Sequence, residues 1–377
     1  MHQEPHQAGP RPLIKVGLAI SDAGFSSPAP LVLPEDLEHF LRIAADRLPG
    51  RGLFFEFQPE MPWIVKDSGS RFAPDTGNKW FELGRAVRRN DLHGPYGPAV
   101  EAIGQPENIF GVHQSIQHMD VLSEDIGMRL KTIESTKQAM FFAGQIRADY
   151  FVFHLAQSVD YWDWDRREQM EIALRAFEEL ADYYYQCSPD FVPLLENLEF
   201  PKFPATAAEI AILFRRCKAF FPDLRLCLDV PHLWHSRKLV LEHNQRFFRT
   251  IPDFSRLNDP FVSYLGFALQ HIFRQAGEEI FLYHMGGCYG HKTHEIPGLL
   301  PGKNPFKHRL RLGERDVYNK EMEMNYPGVA STILEHHFQR ERRLLMVLEI
   351  HNRSIEEMLE SCRLIHLDLH KKAAALT

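Results

Sequence analysis

The 377-residue sequence holds only five cysteines, Cys187, Cys217, Cys227, Cys288 and Cys362, and no two of them form a C-x-x-C pair. A sparse, odd-numbered set argues against a disulfide framework and fits a reduced, cytoplasmic setting. No apolar run approaches the roughly 18 residues of a membrane span, which excludes an integral helical membrane protein. The first twelve residues carry no apolar core followed by small residues, so no secretory signal is expected there. Surplus positive charge is also missing. The 43 Lys and Arg against 50 Asp and Glu leave a formal charge of −7, which argues against a dedicated nucleic-acid binder. The first candidate turn, Ser21-Asp22-Ala23-Gly24-Phe25, lacks G-x-G-x-x-G, which argues against a dinucleotide site.

What the sequence does have is a regular alternation. Short runs rich in Val, Ile, Leu and Phe predict strands at Leu13–Ser21, Gly52–Gln58, Asn108–Gln114, Tyr150–Ala156, Val192–Glu199, Leu224–Val230, Ile280–Met285 and Leu344–Ile350. Apolar residues on both faces of each run suit parallel strands covered by helices. Amphipathic stretches predict helices at Pro34–Arg47, Trp80–Arg89, Ser123–Arg147, Arg166–Gln186, Ala207–Phe220, Pro260–Gln275, Gly328–Arg342 and Ser354–His370. Eight strand–helix pairs predict a single (β/α)8 TIM barrel over residues 13–370, with a flexible tail at 1–12 and a short carboxyl-terminal tail at 371–377. Long connections are expected after strand two (Pro59–Lys79), before strand three (His93–Glu107) and after strand seven (Met285–Pro327). Loops this long in a compact domain are commonly lids or binding loops.

The strand ends carry the chemistry. Strands three to eight each deliver an ionisable group at the end of an apolar run: His113, His154, Glu196, Asp229, His284 and Glu349. Alternation puts Val152 with His154, Cys227 with Asp229, Leu282 with His284, and Val347 with Glu349 on shared faces. If that face is the barrel interior, three carboxylates and three imidazoles converge. Buried carboxylates repel one another unless a cation compensates them. This donor set suits one or two divalent ions: Mn, Zn, Fe, Co or Mg.

This pattern resembles the xylose isomerase-like TIM-barrel superfamily, which includes sugar isomerases and epimerases as well as endonuclease IV. The resemblance spans nearly the whole chain and is carried most specifically by LLEN, CLDVPH, the YHMGG strand end and VLEIH. It implies a single metal held by Glu196, Asp229, His284 and Glu349, with His232 touching substrate or a further metal. The resemblance to endonuclease IV implies a second metal at His113 and His154. A third metal there takes an Asp-x-His pair after strand seven. Here that stretch reads His291-Lys292-Thr293-His294, so a lysine replaces the aspartate; His294 and His291 stay as candidates for a further metal or substrate contact.

Two mechanisms follow. An isomerase or epimerase would stabilise an enediolate on the metal, with Glu196 or Glu349 shuttling the proton and Lys292 as electrophile or anion holder. A two-metal phosphodiester hydrolase would use Glu196 as the bridge and make His113 and His154 essential. The acidic total and Lys292 favour a small, carbohydrate-like substrate over nucleic acid. A barrel that binds metal or ligand without turnover is the third reading. No membrane partner is expected, and an oligomer is compatible with the sequence.

Overall fold

The computed structural model describes residues 13–21, 35–47, 52–59, 64–66, 72–74, 78–114, 119–155, 166–199, 202–234, 236, 260–286, 326–340, 342–349 and 355–376. Among the described residues ten strands run in chain order: β1 (Ile14–Ser21), β2 (Phe54–Gln58), β3 (Ile64–Lys66), β4 (Phe72–Pro74), β5 (Ile109–His113), β6 (Tyr150–Phe153), β7 (Val192–Glu196), β8 (Arg225–Asp229), β9 (Ile280–Met285) and β10 (Leu344–Leu348). Eight of them close a barrel in the order β1-β10-β9-β8-β7-β6-β5-β2, and every pairing in it is parallel. Helices α1 (Glu35–Arg47), α2 (Lys79–Arg89), α3 (Gly97–Ile103), α4 (Ile126–Gln145), α5 (Arg166–Cys187), α6 (Ala207–Cys217), α7 (Pro260–Ala276), α8 (Tyr326–Phe338) and α9 (Ile355–Ala374) connect them. The chain is a (β/α)8 TIM barrel.

Each of the eight strand predictions coincides with a barrel strand. Two features lie inside segments read as plain connections. The strands β3 and β4 pair antiparallel in the loop after β2, and α3 occupies the Gly- and Pro-rich stretch before β5. The last helix also runs on to Ala374, past the His370 expected from its pattern.

The strands are apolar on both faces because each face packs against a different core. The outward face meets the helices: Phe57 stacks on Phe110 at 5.8 Å between ring centres and tilts against Trp80 at 5.4 Å. The inward face forms a narrow axial core of Ala19, Phe54, Ile109, Tyr150, Val152, Leu194, Cys227, Leu282, Leu345 and Val347. Tyr150 fills the axis so tightly that β5 must pass it with a glycine. A Cβ on Gly111 would lie 2.0 Å from the Tyr150 Cζ. Capping fixes α6: Thr206 accepts from the Glu209 amide, and the Glu209 side chain returns to the Thr206 amide.

Candidate metal centre

The period of two along each strand carries the axial core upward into a polar layer. Two residues beyond Val152 stands His154, beyond Leu194 stands Glu196, beyond Cys227 stands Asp229, beyond Leu282 stands His284, and beyond Val347 stands Glu349. His113 closes β5 two residues after Gly111. The register aligns Asp229 with His284 across the β8–β9 pair, so these two arrive at one depth. Asn197 locks the neighbouring strand ends: its amide donates to the Asp229 carbonyl and accepts from the Asp229 N–H, both at 2.9 Å.

Glu196 lies at the centre. Its Oε2 pairs with His113 Nε2 at 3.0 Å and with His154 Nε2, while its Oε1 lies 2.9 Å from His284 Nδ1. The His284 Nδ1 is also 3.5 Å from Glu349 Oε1. His232 reaches the same region, with Nε2 3.6 Å from Asp229 Oδ2 and 3.9 Å from Glu196 Oε1; its Nδ1 pairs with Glu199 at 2.8 Å. The structure therefore brings His113, His154, Glu196, Asp229, His232, His284 and Glu349 together, and none is more than 5% exposed. Lys292, His291 and His294, together with Cys288, lie outside the described residues.

Strand-end reasoning missed Glu56 and Gln58 on β2. Glu56 Oε2 is 2.9 Å from His284 Nε2. Gln58 Nε2 donates to Glu56 Oε1 at 3.1 Å and also to Glu349 Oε1. The signal was present, since a lone carboxylate among Phe54, Phe55 and Phe57 has the same character as the later strand ends. Glu199 was missed too, being three residues past Glu196 in a segment read as strand.

The electrostatics show what this donor set lacks without an ion. Burial would raise the Glu196 carboxyl, but His154, His284 and His113 hold it well below the usual carboxylate range. Burial would likewise depress His113, yet its bond to Glu196 and the charges of Glu196, Glu56 and Glu349 push it up to about 9. His284 is also driven well above its ordinary value: burial opposes this, and Cys227, Glu56, Glu349 and Glu196 outweigh it. Asp229 shifts the other way, raised well above the carboxylate range by burial and then by Glu196 and Glu349. A bound cation would compensate the same crowded carboxylates.

Ligand atoms of Glu196, Asp229, His284 and Glu349 lie within 4.8 Å of one another, as do those of His113, His154 and Glu196, so either group can hold a metal ion. These two groups share Glu196, and a further group, Glu56, His113, His284 and Glu349, meets the same distance without it. Cys227 also falls within that distance of Glu196 and His284, although burial drives its thiol well upward and keeps it neutral. Among the described residues no helix is long and apolar enough to cross a membrane.

Comparison with protein-family models and with curated proteins finds no match to this sequence. Solved structures do match. An L-ribulose 3-epimerase superposes with a TM-score of 0.56 at 13% identity, covering 95% of this chain and 96% of the other. A D-tagatose 3-epimerase-like protein gives 0.52 at 13% identity, covering 96% and 100%. Endonuclease IV from Thermus thermophilus gives 0.50 at 17% identity, again covering 96% and 100%. At such identities the likeness speaks for the fold alone: a closed (β/α)8 barrel of the kind seen in these two epimerase structures and in endonuclease IV.

Proposed function

We propose that this protein is a divalent-metal-dependent enzyme of the isomerase or epimerase kind, acting on a small carbohydrate-like metabolite. One observation carries the reading: four buried donors from four consecutive barrel strands, Glu196, Asp229, His284 and Glu349, have ligand atoms mutually within 4.8 Å. A divalent ion held by them would supply Lewis acidity toward adjacent substrate oxygens. Within that layer Glu196 and Glu349 are carboxylates placed to take or return a proton at a carbon beside a carbonyl. His232, tied to Glu199 through Nδ1, presents Nε2 toward the same space and is suited to orient a substrate hydroxyl. Lys292 is proposed to hold an anionic or polarised substrate group. The cytoplasm is the compartment that suits this chemistry and the sparse thiols.

A second reading, two-metal phosphodiester hydrolysis, is favoured by the placement of His113 and His154 on one oxygen of Glu196 while His284 takes the other. That is the arrangement a bridging carboxylate needs. Incubation of the metal-loaded protein with a panel of ketoses in D2O separates the two. The isomerase reading expects carbon-bound deuterium in a ketose, and expects His113→Ala with His154→Ala to spare most of that exchange. Cleavage of a phosphodiester that is abolished by the same pair, without deuterium incorporation, would replace the first reading with the second.

A further inference from the structure

Glu56 and Gln58 stand two apart on β2 and so share the inward face. Both are buried, and neither belongs to the four-donor set proposed above. His284 is held at both ring nitrogens: Nε2 faces Glu56 at 2.9 Å, and Nδ1 faces Glu196 at 2.9 Å. A neutral imidazole carries its proton on one nitrogen and its lone pair on the other, so the partner of one nitrogen decides what the other can do. Glu56 meets His284 at Nε2, the nitrogen opposite the one that faces Glu196, and its carboxylate also lies within 4.8 Å of ligand atoms of His113 and Glu349. Gln58 then joins Glu56 to Glu349 by donating to both carboxylates.

We infer that Glu56 is a positioning residue: it holds the His284 proton on Nε2, so that Nδ1 is offered to a divalent cation, and through Gln58 it fixes the Glu349 carboxylate beside it. One strand would thus orient ligands from two others, β9 and β10. This rests on the metal-site reading above. A carboxylate behind a metal-bound histidine raises its donor strength and fixes its ring, and loss of such a partner typically weakens metal affinity about 10–100-fold.

The test uses Zn2+ binding to the metal-free full chain, measured by competition with a chromophoric chelator, for the unaltered protein, Glu56→Ala and Glu56→Gln. Long-range 1H–15N correlation spectra of the Zn2+-loaded forms report the histidine tautomers. The expected result is a roughly 10–100-fold loss of affinity in Glu56→Ala at unchanged stoichiometry. A hydrogen-bonded Nε2–H proton in the unaltered protein should be missing from that variant's spectrum. Glu56→Gln keeps an acceptor oxygen in place and should recover most of the affinity and the tautomer; if the alanine variant does not fold, Glu56→Leu, which removes the acceptor at similar volume, carries the test with the same expected loss. Unchanged affinity and tautomer in Glu56→Ala, or in Glu56→Leu in its place, would overturn the inference while leaving the metal site intact. Loss of one whole equivalent of Zn2+ would make Glu56 a ligand instead and would overturn it too. Absence of Zn2+ binding by the unaltered protein would remove the metal site itself, and the inference with it.

Discussion

Three imidazoles, those of His113, His154 and His284, lean on the two oxygens of Glu196, so this one carboxylate both organises the layer and carries its compensating charge. Replacing it by an isosteric amide separates those roles. Glu196→Gln keeps the shape and one acceptor but removes the charge, leaving buried imidazoles that favour the protonated form without their partner. We expect the fold to survive, with stability lowered by about 3–5 kcal/mol and metal binding lost. Near-ultraviolet circular dichroism, urea unfolding and metal analysis check these three statements separately. Full metal content and full activity in the variant would remove Glu196 from the site. At this scale the sequence revealed the residues that close strands, because an ionisable side chain after an apolar run stands out. Glu56 escaped because its role needs a partner 228 residues away, and only barrel closure sets His284 beside it.

At the level of elements, the eight strands were legible because a parallel strand buried on both faces reads as an uninterrupted apolar run. The α3 helix was not. It has seven residues, begins Gly97-Pro98 and has too few turns to show a period, although proline suits a first helical turn. Close packing between elements also leaves no trace in periodicity, and Gly111 is the clearest instance. The Gly111→Ala variant forces a methyl group into the Tyr150 ring. Overpacking of this kind costs about 1–3 kcal/mol or more. Pairing it with Tyr150→Leu should recover part of the loss, and a double-mutant cycle in urea would show the two changes to be non-additive. Simple addition would mean that the ring moves aside at little cost.

The contact between α8 and β9 gives a second prediction on the same scale. Tyr283, on the outward face of β9, sets its hydroxyl 2.9 Å from His337 Nε2. Burial, and then the charges of His336, Arg342 and Arg340, push His337 down to about 4 against a weaker pull from the Arg343 backbone. Its folded value is below its unfolded value, so the unfolded chain takes up the proton first. The contribution to stability is therefore complete above about pH 6.5 and is lost as pH falls toward 4, reaching roughly 2 kcal/mol by pH 5. His337→Leu should be less stable than the unaltered protein at pH 7.5, by about 1 kcal/mol for the lost hydrogen bond. Between pH 7.5 and 5 it should lose less stability than the unaltered protein does. Parallel pH profiles for the two proteins would show that His337 titrates normally.

For the molecule as a whole, the axial core and the polar layer above it form a continuous column inside one closed barrel, so an ion bound to that layer engages four strands at once. Glu196, Asp229, His284 and Glu349 come from β7, β8, β9 and the end of β10, and global unfolding separates all of them. Ion binding is then linked directly to global stability. Free ion at a thousand times its dissociation constant adds about 4 kcal/mol to the native state. For a chain of this length that should raise the thermal midpoint by on the order of 5 °C. Removal of metal by chelation and dialysis should lower the midpoint by that amount, and restoring the ion should return it. Glu196→Gln supplies the control, since a chain that has lost the site should melt at one temperature with or without chelator. An equal response of both proteins to the chelator would place the ion elsewhere, and no response in either would show that the column is stable on protons alone.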